Sequence, residues 1–167
     1  MRNWRHRGWN AGKLSGIKPS VHLPPIILDW FAARGWQPRR HQLEMLDAAG
    51  DGRHALLVAA TGAGKTLAGV LPSLSDLIAD PSHGLHTLYI SPLKALATDV
   101  RRNLLMPVEE MGLPIRVEAR TGDTPSDRKA RQRVKPPHIL LTTPESLSLL
   151  LSHEDSVHMF ATLKRVI

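Results

Sequence analysis

From Ala55 onward, short apolar segments alternate with stretches whose apolar residues recur at helical spacing. Ala55 to Ala60, Thr87 to Ser91, Ile115 to Ala119 and His138 to Leu141 read as strands, being short, rich in branched residues and bounded by turn residues. Lys65 to Ile78, Leu93 to Met106, Ser126 to Arg133 and Glu145 to Leu151 read as helices. Upstream, Pro24-Pro25 opens a helical pattern over Ile26 to Arg34 that Gly35 stops, and a second helix covers Arg39 to Ala49. Strands alternating with helices predict an α/β fold with a parallel sheet flanked by helices on both faces. Ligands of such sheets bind outside the carboxyl ends of the strands.

The polar motifs fall where that rule asks for them. Residues 59–66 read Ala-Ala-Thr-Gly-Ala-Gly-Lys-Thr, between the first apolar run and the helix that follows it. This is the pattern of a phosphate-binding loop. Thr61, Gly62, Ala63 and Gly64 can turn backbone N–H groups toward phosphate oxygens, Lys65 can reach the β/γ-phosphates, and the Thr66 hydroxyl can ligate Mg²⁺. The helix N-terminus adds its positive end. The expected cofactors are therefore ATP and Mg²⁺, with Lys65 and Thr66 in the catalytic roles. Ser91-Pro92-Leu93-Lys94, Arg120-Thr121-Gly122-Asp123 and Thr142-Thr143-Pro144-Glu145 also follow strands directly. Taken singly, each reads as helix capping, with Pro92, Pro125 and Pro144 just inside helix starts after the cap-type residues Ser91, Thr124 and Thr143, and with Thr142 and Glu145 resembling a capping box. As a set on one sheet edge, they would present rows of backbone N–H groups to a second polyphosphate, for which a nucleic-acid backbone is the obvious candidate.

Composition adds a polyanionic partner to this picture. A chain of 167 residues suits about one domain, and its formal net charge is +7. Arg2, Arg5, Arg7, Lys13 and Lys18 precede the first acid, Asp29, so residues 1–22 read as a basic, flexible tail, solvated or stacking Trp4 and Trp9 on bases. The absence of cysteine excludes disulfides and thiolate metal sites and is compatible with a cytoplasmic location. No apolar run reaches the roughly eighteen residues of a membrane span, so no membrane partner is expected. The nine histidines show no metal-binding pair at helical spacing. The basic run Arg128, Lys129, Arg131, Arg133 and Lys135 is a solvated helix face or a contact to DNA.

From about Leu28 to Ile167 the sequence resembles the superfamily 2 helicases, in particular the large helicase-related (Lhr-like) DEXH-box group and its bacterial ligase-associated DNA helicases. Gln42, within Gly35-Trp36-Gln37-Pro38-Arg39-Arg40-His41-Gln42, stands where these enzymes carry the glutamine that recognises adenine. Residues 59–66 resemble motif I, Ser91 to Asp99 motif Ia, and Arg120 to Asp123 and Thr142 to Leu147 the two following DNA-contact motifs. Ala59 at the loop start is usual for that superfamily, whereas Ala60 stands where proline is usual, which should loosen the loop without removing a ligand.

The resemblance implies that residues 23–167 form the ATP-binding, RecA-like first lobe of an ATP-dependent DNA helicase, whose hydrolysis is coupled to single-strand translocation and unwinding. It also implies a nucleic-acid track through Ser91, Pro92, Lys94, Arg120, Thr121, Gly122, Thr143, Pro144 and Glu145. Single-stranded nucleic acid, most readily DNA, is the implied partner, with a DNA-repair setting and repair proteins such as a ligase. In that family the strand resembled by Leu163 to Ile167 leads into Asp-Glu-x-His, a sequence the 167 residues do not contain, and a second lobe carries the arginine finger. These residues alone are therefore expected to be a truncated lobe that binds without turnover. Two other readings stay open: a P-loop NTPase unrelated to nucleic acid, which would need neither Gln42 nor the Thr-Pro-Glu junction, and an inactive nucleic-acid-binding module or non-functional fragment.

Overall fold

The computed structural model describes residues 23–81, 84–92, 104–154 and 156–167. The basic tail, Lys94 and most of the helix expected over Leu93 to Met106 lie outside the described residues. The helices are α1 (Pro25–Ala33), α2 (Arg40–Gly50), α3 (Lys65–Ala79), α4 (residues 104–110), α5 (Ser126–Val134), α6 (Pro144–Leu151) and α7 (Ser156–Phe160). The strands are β1 (Thr87–Ile90), β2 (Val117–Arg120), β3 (Ile139–Thr142) and β4 (Arg165–Val166). They form one parallel sheet in the order β2-β3-β1-β4.

Period-two alternation builds the two-sided core. Ile139 and Leu141 of β3 pack with Val117, Leu71 and Leu74 on the face covered by α1 to α4, whereas Leu140 turns to the other face with Leu88, Leu150 of α6 and Met159 of α7. All four residues of β3 are buried, as a strand covered on both faces requires. α1 stops at Gly35, whose φ of +66° lets its N–H and that of Trp36 turn back onto the carbonyls of Ala32 and Phe31, 2.9 Å each.

Two expectations need correction, and one element was not foreseen. Residues 53–60 form no strand, and Leu56 and Val58 are 89% and 85% exposed. β4 pairs with β1 on one side, and no described strand stands on its other side. Without a neighbour, the apolar run has neither a ladder for its backbone groups nor an opposing face for alternate side chains. β2 begins at Val117 rather than Ile115, because the Arg116 N–H donates to the His138 ring (3.0 Å) instead of to a strand. Finally, the apolar pattern does not predict α7, whose five residues are too few for a helical period to register.

Candidate nucleotide and nucleic-acid site

The phosphate loop keeps its helical exit. Gly62 and Gly64 both lie at φ +76°, and Gly64 serves as N-cap of α3. The neighbouring helix α2 holds the loop from outside: Arg39 Nη1 donates to the Gly62 carbonyl (3.4 Å), and the His41 ring lies 2.9 Å from the Ala63 carbonyl. Thr61 is exposed at the loop's entry and Ala63 half-buried. Lys65 folds back on its own loop, donating to the carbonyls of Ala59 and Ala60, 2.7 Å each. The exposed ammonium is thus held by neutral acceptors that a phosphate would outcompete as a charged one. The Tyr89 phenol of β1 lies near Thr66, and burial pushes its ionisation above the usual range, which Thr66 partly offsets.

Gln42 lies beside the loop and is buried. Its side-chain carbonyl accepts the Arg39 N–H (2.8 Å), closing the first turn of α2, and a Cβ at Gly64 would stand 3.1 Å from Nε2. A cavity of about 340 Å³ opens here, walled by Phe31, Trp36, Arg39, Gln42, Gly62 and Gly64. Sequence reasoning missed what steadies its aromatic wall. The Arg34 guanidinium lies 5.0 Å from the ring centroids of both Trp30 and Trp36, and Glu110 of α4 accepts hydrogen bonds from Arg34 and from the Trp30 indole N–H (2.7 Å). Arg34, and secondarily Trp30, hold the Glu110 carboxyl below the usual range. Glu110 is far from Arg34 in sequence, so no periodicity points to the pair.

The strand ends meet as expected. The Ser91 N–H donates to the Thr142 carbonyl and the Thr142 hydroxyl to the Arg120 carbonyl, 2.9 Å each, which laces three of the junctions side by side. Their side chains are placed differently from the reading of the sequence. Thr143 is the N-cap of α6, as its place before Pro144 indicates: its Oγ1 accepts the Ser146 N–H (3.3 Å), and the Ser146 hydroxyl lies 3.2 Å away. Thr142 is committed to the sheet, so the expected box with Glu145 does not form there. Thr143 is buried, while Pro144 and Glu145 are exposed in the first turn.

Arg120 is also corrected. Its side chain is buried and donates to the Lys129 carbonyl (2.8 Å) and to Gln132 Oε1 (3.5 Å), binding α5 to β2 rather than offering a charge to a ligand. Pro125 is itself the N-cap of α5, and the Thr124 hydroxyl instead accepts the Thr121 N–H (2.9 Å), while Lys129 Nζ donates to the Gly122 carbonyl (2.9 Å). Pro92 is exposed at the end of its described segment. Among the described residues, no cluster of three or more His, Asp and Glu side chains is arranged to hold a metal ion.

Comparison with known proteins accounts for this arrangement. Residues 39–167 match the family model described as "DEAD/DEAH box helicase". The chain is 37% identical to "Lhr helicase/ probable uracil glycosylase" of Mycolicibacterium smegmatis and 38% identical to "Lhr helicase/uracil glycosylase" of Escherichia coli, in each case over 90% of this chain and 12% of the relative. Its fold is similar to that of Mycobacterium smegmatis helicase Lhr bound to ssDNA and AMP-PNP, with a TM-score of 0.77 and 38% identity over 90% of this chain and 20% of that one. Helicase MrfA bound to DNA and AMPPNP gives the same TM-score at 31% identity, over 86% of this chain and 20% of that one. The chain thus spans about an eighth of the length of these curated relatives, and its parallel sheet is that of their RecA-like lobe. It belongs to the DEAD/DEAH box helicase family and is homologous to the Lhr helicases.

Proposed function

We propose that this chain is the ATP-binding and nucleic-acid-binding lobe of an ATP-dependent helicase, acting on single-stranded DNA. The observations that carry this reading are the phosphate loop at the mouth of α3, with Thr66 near Tyr89 of β1, and the laced junctions at Ser91, Arg120 and Thr142 at the strand ends. The loop fits a polyphosphate. Gly62 and Gly64 carry no Cβ at φ +76°, and nothing lies within 4 Å of where a Cβ at Gly62 would stand, so a ligand can approach the backbone N–H groups directly. Lys65 then exchanges two carbonyl acceptors for phosphate oxygens. Thr66 is the side chain that would hold Mg²⁺, whose chemistry when bound is to neutralise charge on the β- and γ-phosphates. Gln42 Oε1 keeps a second lone pair for the adenine amino group while accepting from Arg39, and Trp36 closes the base cavity.

The strand ends offer backbone groups and exposed helix starts to a nucleic-acid backbone, with Thr121, Gly122, Pro144 and Glu145 along the track and Thr143 and Arg120 shaping it from within. Lys65→Ala should weaken ATP binding by more than about tenfold, the loss of a charge-assisted bond of about 1.5–3 kcal/mol, and leave adenosine binding unchanged in calorimetric titrations. Equal loss for both ligands would overturn the reading, because Lys65 would then serve the fold instead of the phosphates.

A further inference from the structure

A cavity of about 620 Å³ lies at the opposite edge of the sheet. Arg116 and His138 stand there immediately before β2 and β3, Arg133 and Lys135 come from the end of α5, and His158 from α7. Among the described residues no acidic side chain lines it, and Pro114, Pro136 and the 89% exposed Val134 give it apolar walls. Arg116 is held in place by donating from Nη2 to the Pro136 carbonyl (2.9 Å). Its backbone N–H donates to His138 Nδ1 (3.0 Å), which makes that nitrogen the acceptor of the ring.

Two of these cations have an ordinary role, since basic residues in the last turn of α5 offset the negative end of its dipole. That role does not account for Arg116 or His158, which reach the same cavity from other elements. Nor does it account for the distribution of charge along α5. Arg131 pairs with Glu118 and Lys129 with the Gly122 carbonyl, whereas Arg133 and Lys135 pair with no carboxylate among the described residues. At its start, α5 places Arg128 with Thr121 and Asp123 around a second cavity of about 370 Å³, next to the proposed track. Nine helical residues at about 1.5 Å each then carry the cationic surface along the outside of edge strand β2 to the larger cavity.

We infer that α5 and the Arg116–Lys135 cavity form a second nucleic-acid contact, taking the phosphodiester backbone of a strand that leaves the track at Thr121 and passes around β2. The cations take the phosphates and the proline and valine walls the sugar or base, which is the division of labour in strand-binding grooves. This rests on the proposed reading of the track.

The test uses the 167-residue chain with two single-stranded DNAs, one just long enough to cover the track and one long enough to reach past β2. Arg133→Gln/Lys135→Gln, which removes two charges while keeping the Arg131–Glu118 and Lys129–Gly122 contacts of α5, should leave binding of the short strand unchanged and weaken the long strand severalfold. Its log–log salt slope for the long strand should fall by about 0.7 for each phosphate that is no longer neutralised, and Arg116→Gln should act in the same direction. Weakening of the same size for both strands, or an unchanged slope for the long one, overturns the second contact and leaves the track standing. If the unaltered chain binds neither strand, the proposed reading fails first. AMP binding that the double variant abolishes while long-strand binding persists would make the cavity a mononucleotide site and overturn the inference.

Discussion

Two junctions that lead into helices of this protein have opposite physical characters. At β3–α6, a fully buried strand delivers Thr143 to cap a helix whose Leu150 is buried beneath the sheet. At the phosphate loop, an unpaired segment with Leu56 and Val58 in solvent delivers two glycines at φ +76° to a helix whose first residue, Lys65, is folded back on the loop. The first junction uses its polar side chains on itself and is stabilised by the core. The second leaves its backbone open and is stabilised mainly by α2 and α3. Ligand binding needs groups not already satisfied by the fold, so the less self-sufficient junction is the one fitted for chemistry.

The contrast can be broken most sharply in the core. Leu140→Ala and Leu141→Ala, at positions with no exposure, should each cost about 2–5 kcal/mol in urea unfolding, whereas Leu56→Ala should change stability by less than about 0.5 kcal/mol. A comparable loss at Leu56 would show that the segment before the loop is seated against something in solution. A smaller effect is expected at the cap: Thr143→Ala should cost about 1 kcal/mol of stability and leave ATP titration curves unaltered. Should ATP affinity drop in parallel, the two junctions act as one unit and the comparison dissolves.

The smallest effect concerns the Arg34–Glu110 clamp beside the base cavity. Because the folded Glu110 carboxyl sits below its ordinary value of 4.5, its contribution is present above that pH and is lost as pH falls through the depressed folded value. Thermal midpoints of the parent protein should therefore fall more steeply below about pH 4.5 than those of Glu110→Gln, with tryptophan fluorescence reporting the loosened Trp30 and Trp36. Parallel pH curves would mean that the exposed pair contributes nothing measurable, as surface pairs often do.

What could be read from the sequence is what local chemistry dictates. The alternation of apolar runs and helical periods identified three paired strands and most helices to within a residue or two, and Gly-Ala-Gly-Lys-Thr at the mouth of a helix needed no neighbour to declare a phosphate loop. The resemblance added Gln42, whose neighbours in space are the loop and Trp36. Tertiary structure decided the rest. Ala55 to Ala60 has the composition of a strand, but strand formation depends on a partner that no local pattern can supply. The box that Thr142 and Glu145 suggest is pre-empted by the register of β3 against β2, which commits the Thr142 hydroxyl to the Arg120 carbonyl. Arg120 reads as a surface charge until α5 folds over it. The Trp30–Arg34–Glu110 clamp and the basic cavity join residues far apart along the chain, so the sequence holds their charges while the fold alone determines that they meet.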